Sequence, residues 1–181
     1  MLVVNLFAGP GAGKSTLSAY TFAQLKMRKV NCELVTEFAK DKVWEQNACA
    51  LNYQVYVFAK QSYRISRCAD KVDVVITDSP MVLSALYNKD PVIDKPLRDL
   101  IKAVDSKYES LNYFLKRKKI YNPVGRLQTE SEAKEIDQAV KKLLADFALP
   151  YREIDGDLAA ADVIVQDVLS KMEAKNGTAG N

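Results

Sequence analysis

The sequence predicts an α/β fold, because short apolar strands alternate with amphipathic helices and a glycine-rich turn joins the first strand to the first helix. Strands that alternate with helices pair in parallel and are covered on both faces, which implies a three-layer sandwich of about five strands. Residues 1–173 read as one domain without internal repeat or linker. Residues 174–181 lose periodicity and turn rich in Gly, Asn and Thr, the composition of a flexible tail.

Leu2-Val-Val-Asn-Leu-Phe7 is uninterrupted by charge and reads as a buried strand. After the glycine-rich turn, a helix is expected from near Lys14 to about Met27. Residues 32–36 and 72–77 form the second and third strands, the latter rich in β-branched side chains. Residues 111–115 and 151–154 are weaker strand signals. Val55, Phe58, Ala59, Ser62, Ile65 and Ala69 mark a helix before the third strand. Leu97, Leu100, Ile101, Val104 and Tyr108 mark another, with Pro96 in its first turn. Ile136, Val140, Leu143, Leu144 and Phe147 follow a Thr129-x-x-Glu132 capping box. Leu158, Ala161, Val165, Val168, Leu169 and Met172 form the last helix.

Composition excludes several classes of function. The chain has no histidine, which argues against zinc chemistry and Ser-His-Asp catalysis. Its three cysteines are widely spaced, as expected of reduced thiols in a cytoplasmic protein. No apolar run approaches a membrane span, and no basic leader precedes the first strand. A net charge of +3 tolerates an anionic substrate but does not mark a nucleic-acid binder.

Ala8-Gly-Pro-Gly-Ala-Gly-Lys-Ser-Thr16 has the spacing of a phosphate-binding loop, with Ala8 where glycine is usual. Such a loop turns successive backbone N–H groups onto phosphate oxygens, and the following helix adds the positive end of its dipole. Gly9, Gly11, Ala12, Gly13, Lys14, Ser15 and Thr16 are therefore the candidate ATP-binding residues. Lys14 is expected at the β- and γ-phosphates, and the Ser15 hydroxyl on Mg²⁺. The third strand ends in Asp78, the position of a second Mg²⁺ ligand; the alternative is an aspartate that merely opens the Asp78-Ser-Pro80 turn.

A Ras-type GTPase would need Asn-Lys-x-Asp, and Asn88-Lys89-Asp90-Pro91 has proline in the last place. The length and signature elements of ABC or AAA-type motors are absent as well. A small kinase or a regulatory nucleotide-binding domain is left. Glu37 follows the second strand, at the ligand-binding edge of a parallel sheet, where a carboxylate can orient or deprotonate an acceptor hydroxyl. The alternative there is an acid that favours a helix N-terminus. Lys116-Arg-Lys-Lys119 and Arg126 lie in a cationic loop, read as a lid over residues 116–130 or else as a solvated face. Gln54, Gln61 and Arg64 share a helix face suited to an acceptor, or to plain surface polarity. Trp44, Tyr53, Tyr56 and Tyr63 are candidates for a pocket wall or for packing.

Phe7-Ala-Gly-Pro-Gly-Ala-Gly-Lys-Ser-Thr16, Thr36-Glu-Phe-Ala-Lys40, Ala59-Lys-Gln61, Ile76-Thr-Asp-Ser-Pro80 and Ile154-Asp-Gly156 occur in the order found in NadR-like P-loop kinases. The chain resembles that family, which includes ribosylnicotinamide kinase domains, over most of residues 1–170, in a compact form frequent among phages. The resemblance implies a parallel sheet of order 2-3-1-4-5, ATP and Mg²⁺, and a nucleoside-like or nucleotide-like small-molecule acceptor. It also places Glu37 at the sugar hydroxyl, Asp78 at the Walker B-like position, Arg126 in the lid and Gly156 by the adenine. Lys40 stands where arginine is common, and the adenylyltransferase domain of bifunctional NadR proteins is lacking.

Two kinase variants stay open. A hydroxyl acceptor uses Glu37; a monophosphate acceptor needs extra cations, with Lys40, Lys60 and Arg64 as candidates. Lys14, Glu37, Asp78 and Arg126 form the catalytic set in the first case, with Lys40, Gln61 and Arg64 beside Glu37 on the substrate. A non-catalytic regulatory module acting through a protein partner is the alternative class. A 5′-polynucleotide kinase is disfavoured by the balanced charge. Monomer and homodimer are both compatible with the sequence.

Overall fold

Leu2, Val4 and Leu6 of the first strand enter one apolar layer, and Val3 and Phe7 enter the other. This is the period of two expected for a strand covered on both faces, and it explains why the run carries no charge. In the computed structural model, which describes residues 1–118 and 129–178, that strand (β1, Leu2–Phe7) is the centre of a five-stranded sheet. The order along the chain is β1, α1 (Lys14–Met27), β2 (Cys32–Val35), α2 (Phe38–Trp44), α3 (Ala48–Asn52), α4 (Gln54–Ser66), β3 (Val74–Thr77) and α5 (Leu83–Tyr87). Then come α6 (Asp94–Asp105), β4 (Glu109–Lys116), α7 (Glu130–Asp146), β5 (Arg152–Asp155) and α8 (Ala160–Thr178).

The sheet order is β2-β3-β1-β4-β5 and every neighbouring pair is parallel, as expected. Leu2 is in register with Val74 on one side and Glu109 on the other, which brings the C-terminal ends of β1, β2 and β3 to one edge. One core layer joins β1 to residues of α1 and α8, among them Leu17, Leu25, Ile164 and Val168. The opposite layer joins it to α4, α6 and α7 through Phe58, Ile65, Ile101, Val140 and Leu144. Asn5 interrupts the apolar strand and is satisfied by Asn112, whose own amide donates to the Pro150 carbonyl.

The capping box forms as expected. The Glu132 amide donates to Thr129 Oγ1 at 3.3 Å, and the Thr129 amide donates back to Glu132 Oε2 at 2.6 Å. Three elements had no sequence signal: α2, α3 and α5 are seven, five and five residues long. Helices that short hold fewer than two turns of periodicity and depend on tertiary packing. At the other end, α8 continues to Thr178, beyond the domain limit expected at residue 173. Lys171 and Lys175 of this helix both reach Glu109 at the start of β4. No helix among the described residues is long and apolar enough to cross a membrane.

Candidate functional site

At the C-terminal edge of the sheet lies a cleft of about 460 Å³, within the size range of small-molecule sites. Its floor is the loop between β1 and α1. Gly11 and Gly13 there have φ of 81° and 99°, the left-handed region that glycine enters without steric cost. Gly9 and Gly156 are glycine for another reason, which is close approach. A Cβ on Gly9 would stand 2.5 Å from the Ala133 carbonyl oxygen, and one on Gly156 would stand 2.6 Å from that of Ala12. Gly156 thus backs the phosphate loop from behind and is not among the residues that line the cleft.

Lys14 opens α1 and folds back over the loop. Its Nζ donates to the carbonyls of Ala8 at 2.8 Å and Gly9 at 3.0 Å. Burial pulls its pKa below the ordinary lysine value, while the carboxylates of Glu37 and Asp78 act in the opposite direction. Ser15 and Thr16 are exposed beside it and line the cleft. The first turn of α1 has neither an acidic residue nor a side-chain cap, so the positive end of the helix faces the cleft.

Asp78 lies just past β3 and is 4% exposed. Its Oδ1 is buried with no hydrogen-bond partner. The turn that follows is closed instead by Thr77 Oγ1, which accepts from the Ser79 amide at 3.1 Å. An aspartate that opens a turn accepts from the amide two residues on, and here that residue is Pro80, which has no N–H, so Asp78 Oδ1 is left for another partner. An orphaned buried carboxylate oxygen, on a residue that lines the same cleft as Ser15, suits a hard cation that takes its remaining ligands from phosphates and water. No group of three or more Cys, Asp or Glu among the described residues forms a closed metal site.

Glu37 is the backbone N-cap of α2, yet its side chain makes no capping bond and lines the cleft. Burial raises its pKa above the ordinary carboxylate value; Lys14 opposes that shift, and Asp78 adds to it. The three groups therefore share one electrostatic environment, and Lys14, Glu37 and Asp78 are brought together as the sequence suggested.

The helix-face residues divide. Gln61 lines the cleft, but its Oε1 accepts from the Phe38 amide at 2.9 Å and its Nε2 faces Thr77 Oγ1 at 3.4 Å. It pins the start of α2, and with it Glu37, so its amide is engaged within the protein. Arg64 turns away: it pairs with Asp41, donates to the Thr36 carbonyl and is not among the cleft residues. Lys40 and Gln54 do line the cleft. Trp44 is 63% exposed at its rim, whereas Tyr53 and Tyr63 are exposed elsewhere and Tyr56 packs edge-on against Phe38. Lys60 lies over the Tyr56 ring.

Most of the expected lid, including Lys119 and Arg126, lies outside the described residues. Its first part is engaged: Lys116 and Lys118 both pair with Asp155 of β5. Arg117 donates to the Pro10 carbonyl at 2.7 Å and pairs with Asp137 of α7. Asp137 in turn accepts the Gly9 amide at 2.6 Å. Sequence reasoning missed Asp137, although a carboxylate among Ala133, Val140 and Leu144 on the buried stripe of α7 was a legible signal. It also missed Tyr87, whose phenol lines the cleft and has its pKa pushed up to about 12 by burial, with Glu37 and Asp137 adding to the effect. Tyr87 is on α5, which gave no signal of its own.

Solved structures match the fold. The NadR protein in complex with NR superposes with a TM-score of 0.71 at 16% identity, covering 91% of this chain and 50% of that one. The present chain thus spans about half the length of that NadR protein. Deoxyadenosine kinase from M. mycoides with bound dATP gives a TM-score of 0.56 at 14% identity, covering 94% and 99% of the two chains. Both are similar in fold, with the five-stranded parallel sheet of P-loop proteins. No curated protein matches. The sequence argued against an AAA-type motor, but a family model described as an AAA domain matches residues 3–161, and the chain belongs to that family.

Proposed function

We propose that this protein is an ATP- and Mg²⁺-dependent phosphotransferase that acts on the hydroxyl of a nucleoside-like small molecule. The carrying observation is that Lys14, Glu37 and Asp78, from the segments that follow β1, β2 and β3, line one cleft and share its electrostatics. Lys14 and the amides of the loop bind and orient the phosphates, with Lys14 leaving the Ala8 and Gly9 carbonyls for the β- and γ-oxygens. Asp78 and Ser15 would hold Mg²⁺, which when bound would neutralise charge on the phosphates. Glu37 orients the acceptor hydroxyl and takes its proton. Its pKa, raised by burial, makes it a stronger base than an ordinary carboxylate.

The surroundings of the acceptor end favour a hydroxyl over a monophosphate. Of the three candidate cations for a phosphate acceptor, Arg64 pairs with Asp41, and Lys60 lies over the Tyr56 ring and is not among the cleft residues. Lys40 remains in the cleft, joined by Lys89. Trp44, Leu51, Val57 and Leu83 supply apolar area for a planar group. The resemblance of this layout to NadR-like kinases supports the same reading.

Release of ADP from MgATP tests this, measured over nicotinamide riboside, deoxynucleosides, their monophosphates and a 5′-hydroxyl oligonucleotide. Lys14→Ala serves as the blank. Turnover that needs a hydroxyl acceptor and disappears in Lys14→Ala is the expected result. Tight MgATP binding without acceptor-dependent release would favour a regulatory module instead.

A further inference from the structure

Every backbone hydrogen-bonding group of Gly9 and Pro10 is taken by a side chain. Inside the loop, Lys14 Nζ binds the Gly9 carbonyl. Outside it, Asp137 Oδ1 takes the Gly9 amide and Arg117 Nη1 donates to the Pro10 carbonyl. Arg117 and Asp137 form an ion pair that is nearly buried, with side chains 15% and 12% exposed. Arg117 Nη2 also donates to the Ala133 carbonyl at 2.9 Å, fastening the end of β4 to the first turns of α7.

Gly9 has an ordinary φ, so its lack of a side chain is not required by the curl of the loop. It is required by this contact: a Cβ there would lie 2.5 Å from the Ala133 oxygen, 2.9 Å from Arg117 Nη2 and 3.0 Å from Asp137 Oδ1. The start of the phosphate loop is therefore packed directly onto an ion pair from distant parts of the chain. A pair of this kind is costly to bury unless its remaining bonds are met, and here they are met by the loop itself.

We infer that Arg117 and Asp137 are positioning residues that clamp Gly9 and Pro10 and so set how well the loop receives nucleotide phosphates. The inference rests on the nucleotide-binding reading above. The clamp leaves the inner face of the loop open to phosphate while fixing its outer face, and it holds the Gly9 carbonyl on which Lys14 rests. Loosening it shifts the cradle of amides by fractions of an ångström, which phosphate binding senses and acceptor binding does not.

ADP is the probe, because its binding needs no acceptor. Calorimetric titration of folded protein compares the wild type with Asp137→Asn, Arg117→Lys and Lys141→Gln. Lys141 belongs to α7 as well, but pairs with Glu153 away from the loop. Asp137→Asn and Arg117→Lys are each expected to weaken ADP on the order of tenfold. Lys141→Gln is expected to leave it unchanged. In turnover assays the same two variants raise KM for ATP with little change in KM for the acceptor. Unchanged ADP affinity in both variants would overturn the clamp, whatever their stability, since a structural pair lowers the folded fraction and not the affinity of folded molecules. If Asp137→Asn does not fold, Arg117→Lys, which keeps the charge, decides. Absence of ADP binding to the wild type would instead overturn the nucleotide-binding reading.

Discussion

Two buried carboxylates flank the phosphate loop, and they differ in how their oxygens are used. Asp137, on the α7 side, accepts from the Gly9 amide and from Arg117, and both its oxygens are engaged. Asp78, on the β3 side, leaves Oδ1 buried without a partner. Burial of an unpartnered oxygen costs about 1–3 kcal/mol, whereas a satisfied one is stabilising. The difference separates a residue that holds the protein together from one that stands ready for a ligand. Similar burial and the same side chain thus carry opposite meanings, and hydrogen-bond satisfaction distinguishes them.

The largest expected effect is at Glu37. Glu37→Gln is predicted to lower turnover on hydroxyl acceptors by about 10²–10⁴-fold while ADP affinity changes little. In the wild type, activity falls as pH drops through the raised pKa of Glu37, so the acid limb lies above the ordinary value of 4.5. The same shift means that the native state holds this proton more tightly than the unfolded chain does. Its contribution to stability is therefore present below the ordinary pKa and is lost as pH rises through the folded one. Rate–pH profiles of the two proteins check this; a limb that persists in Glu37→Gln would assign it to another group.

Asp78 and Asp137 come next, and their asparagine variants should move stability in opposite directions. Asp78→Asn is expected to lower turnover about a hundredfold. It should leave the thermal midpoint of the ligand-free protein unchanged or higher, and abolish stabilisation by MgADP relative to ADP. Asp137→Asn is expected to destabilise the fold by about 1–3 kcal/mol, because Arg117 loses its counter-charge. Denaturant titration measures both; loss of stability in Asp78→Asn would erase the contrast.

The smallest effect is predicted for Arg64→Gln. Its partner Asp41 is about half exposed, and such pairs contribute about 0–1 kcal/mol. Acceptor KM should change less than about twofold. A large rise in KM would show that Arg64 leaves Asp41 for the acceptor and would restore a phosphate-bearing substrate.

Local chain chemistry was enough for much of this molecule. A charge-free, mostly apolar run in β1, positive-φ glycines at positions 11 and 13, and a lysine at the start of α1 lie within a few residues of one another. The interactions that make them a phosphate cradle are short in sequence, so spacing alone reports them. The capping box of α7 and the strand that ends at Asp78 are legible for the same reason. What remained hidden depends on contacts between distant residues. Asp137 meets Gly9 across 128 positions and Arg117 meets Pro10 across 107. Gln61 looked like an acceptor contact until packing placed it on the Phe38 amide.

The cleft wall built by α2, α3 and α5 was the least legible part, since these helices are too short to carry a period and form only where the sheet supports them. The sequence by itself thus determined the layer architecture and the glycine-rich loop that floors the cleft, because both are written in local patterns of apolarity, glycine and charge. The tertiary structure alone decided which carboxylate is satisfied, which cations reach the cleft and why Gly9 must be glycine. Each of these is a matter of which distant atoms come within hydrogen-bonding or van der Waals distance, and no local pattern encodes that.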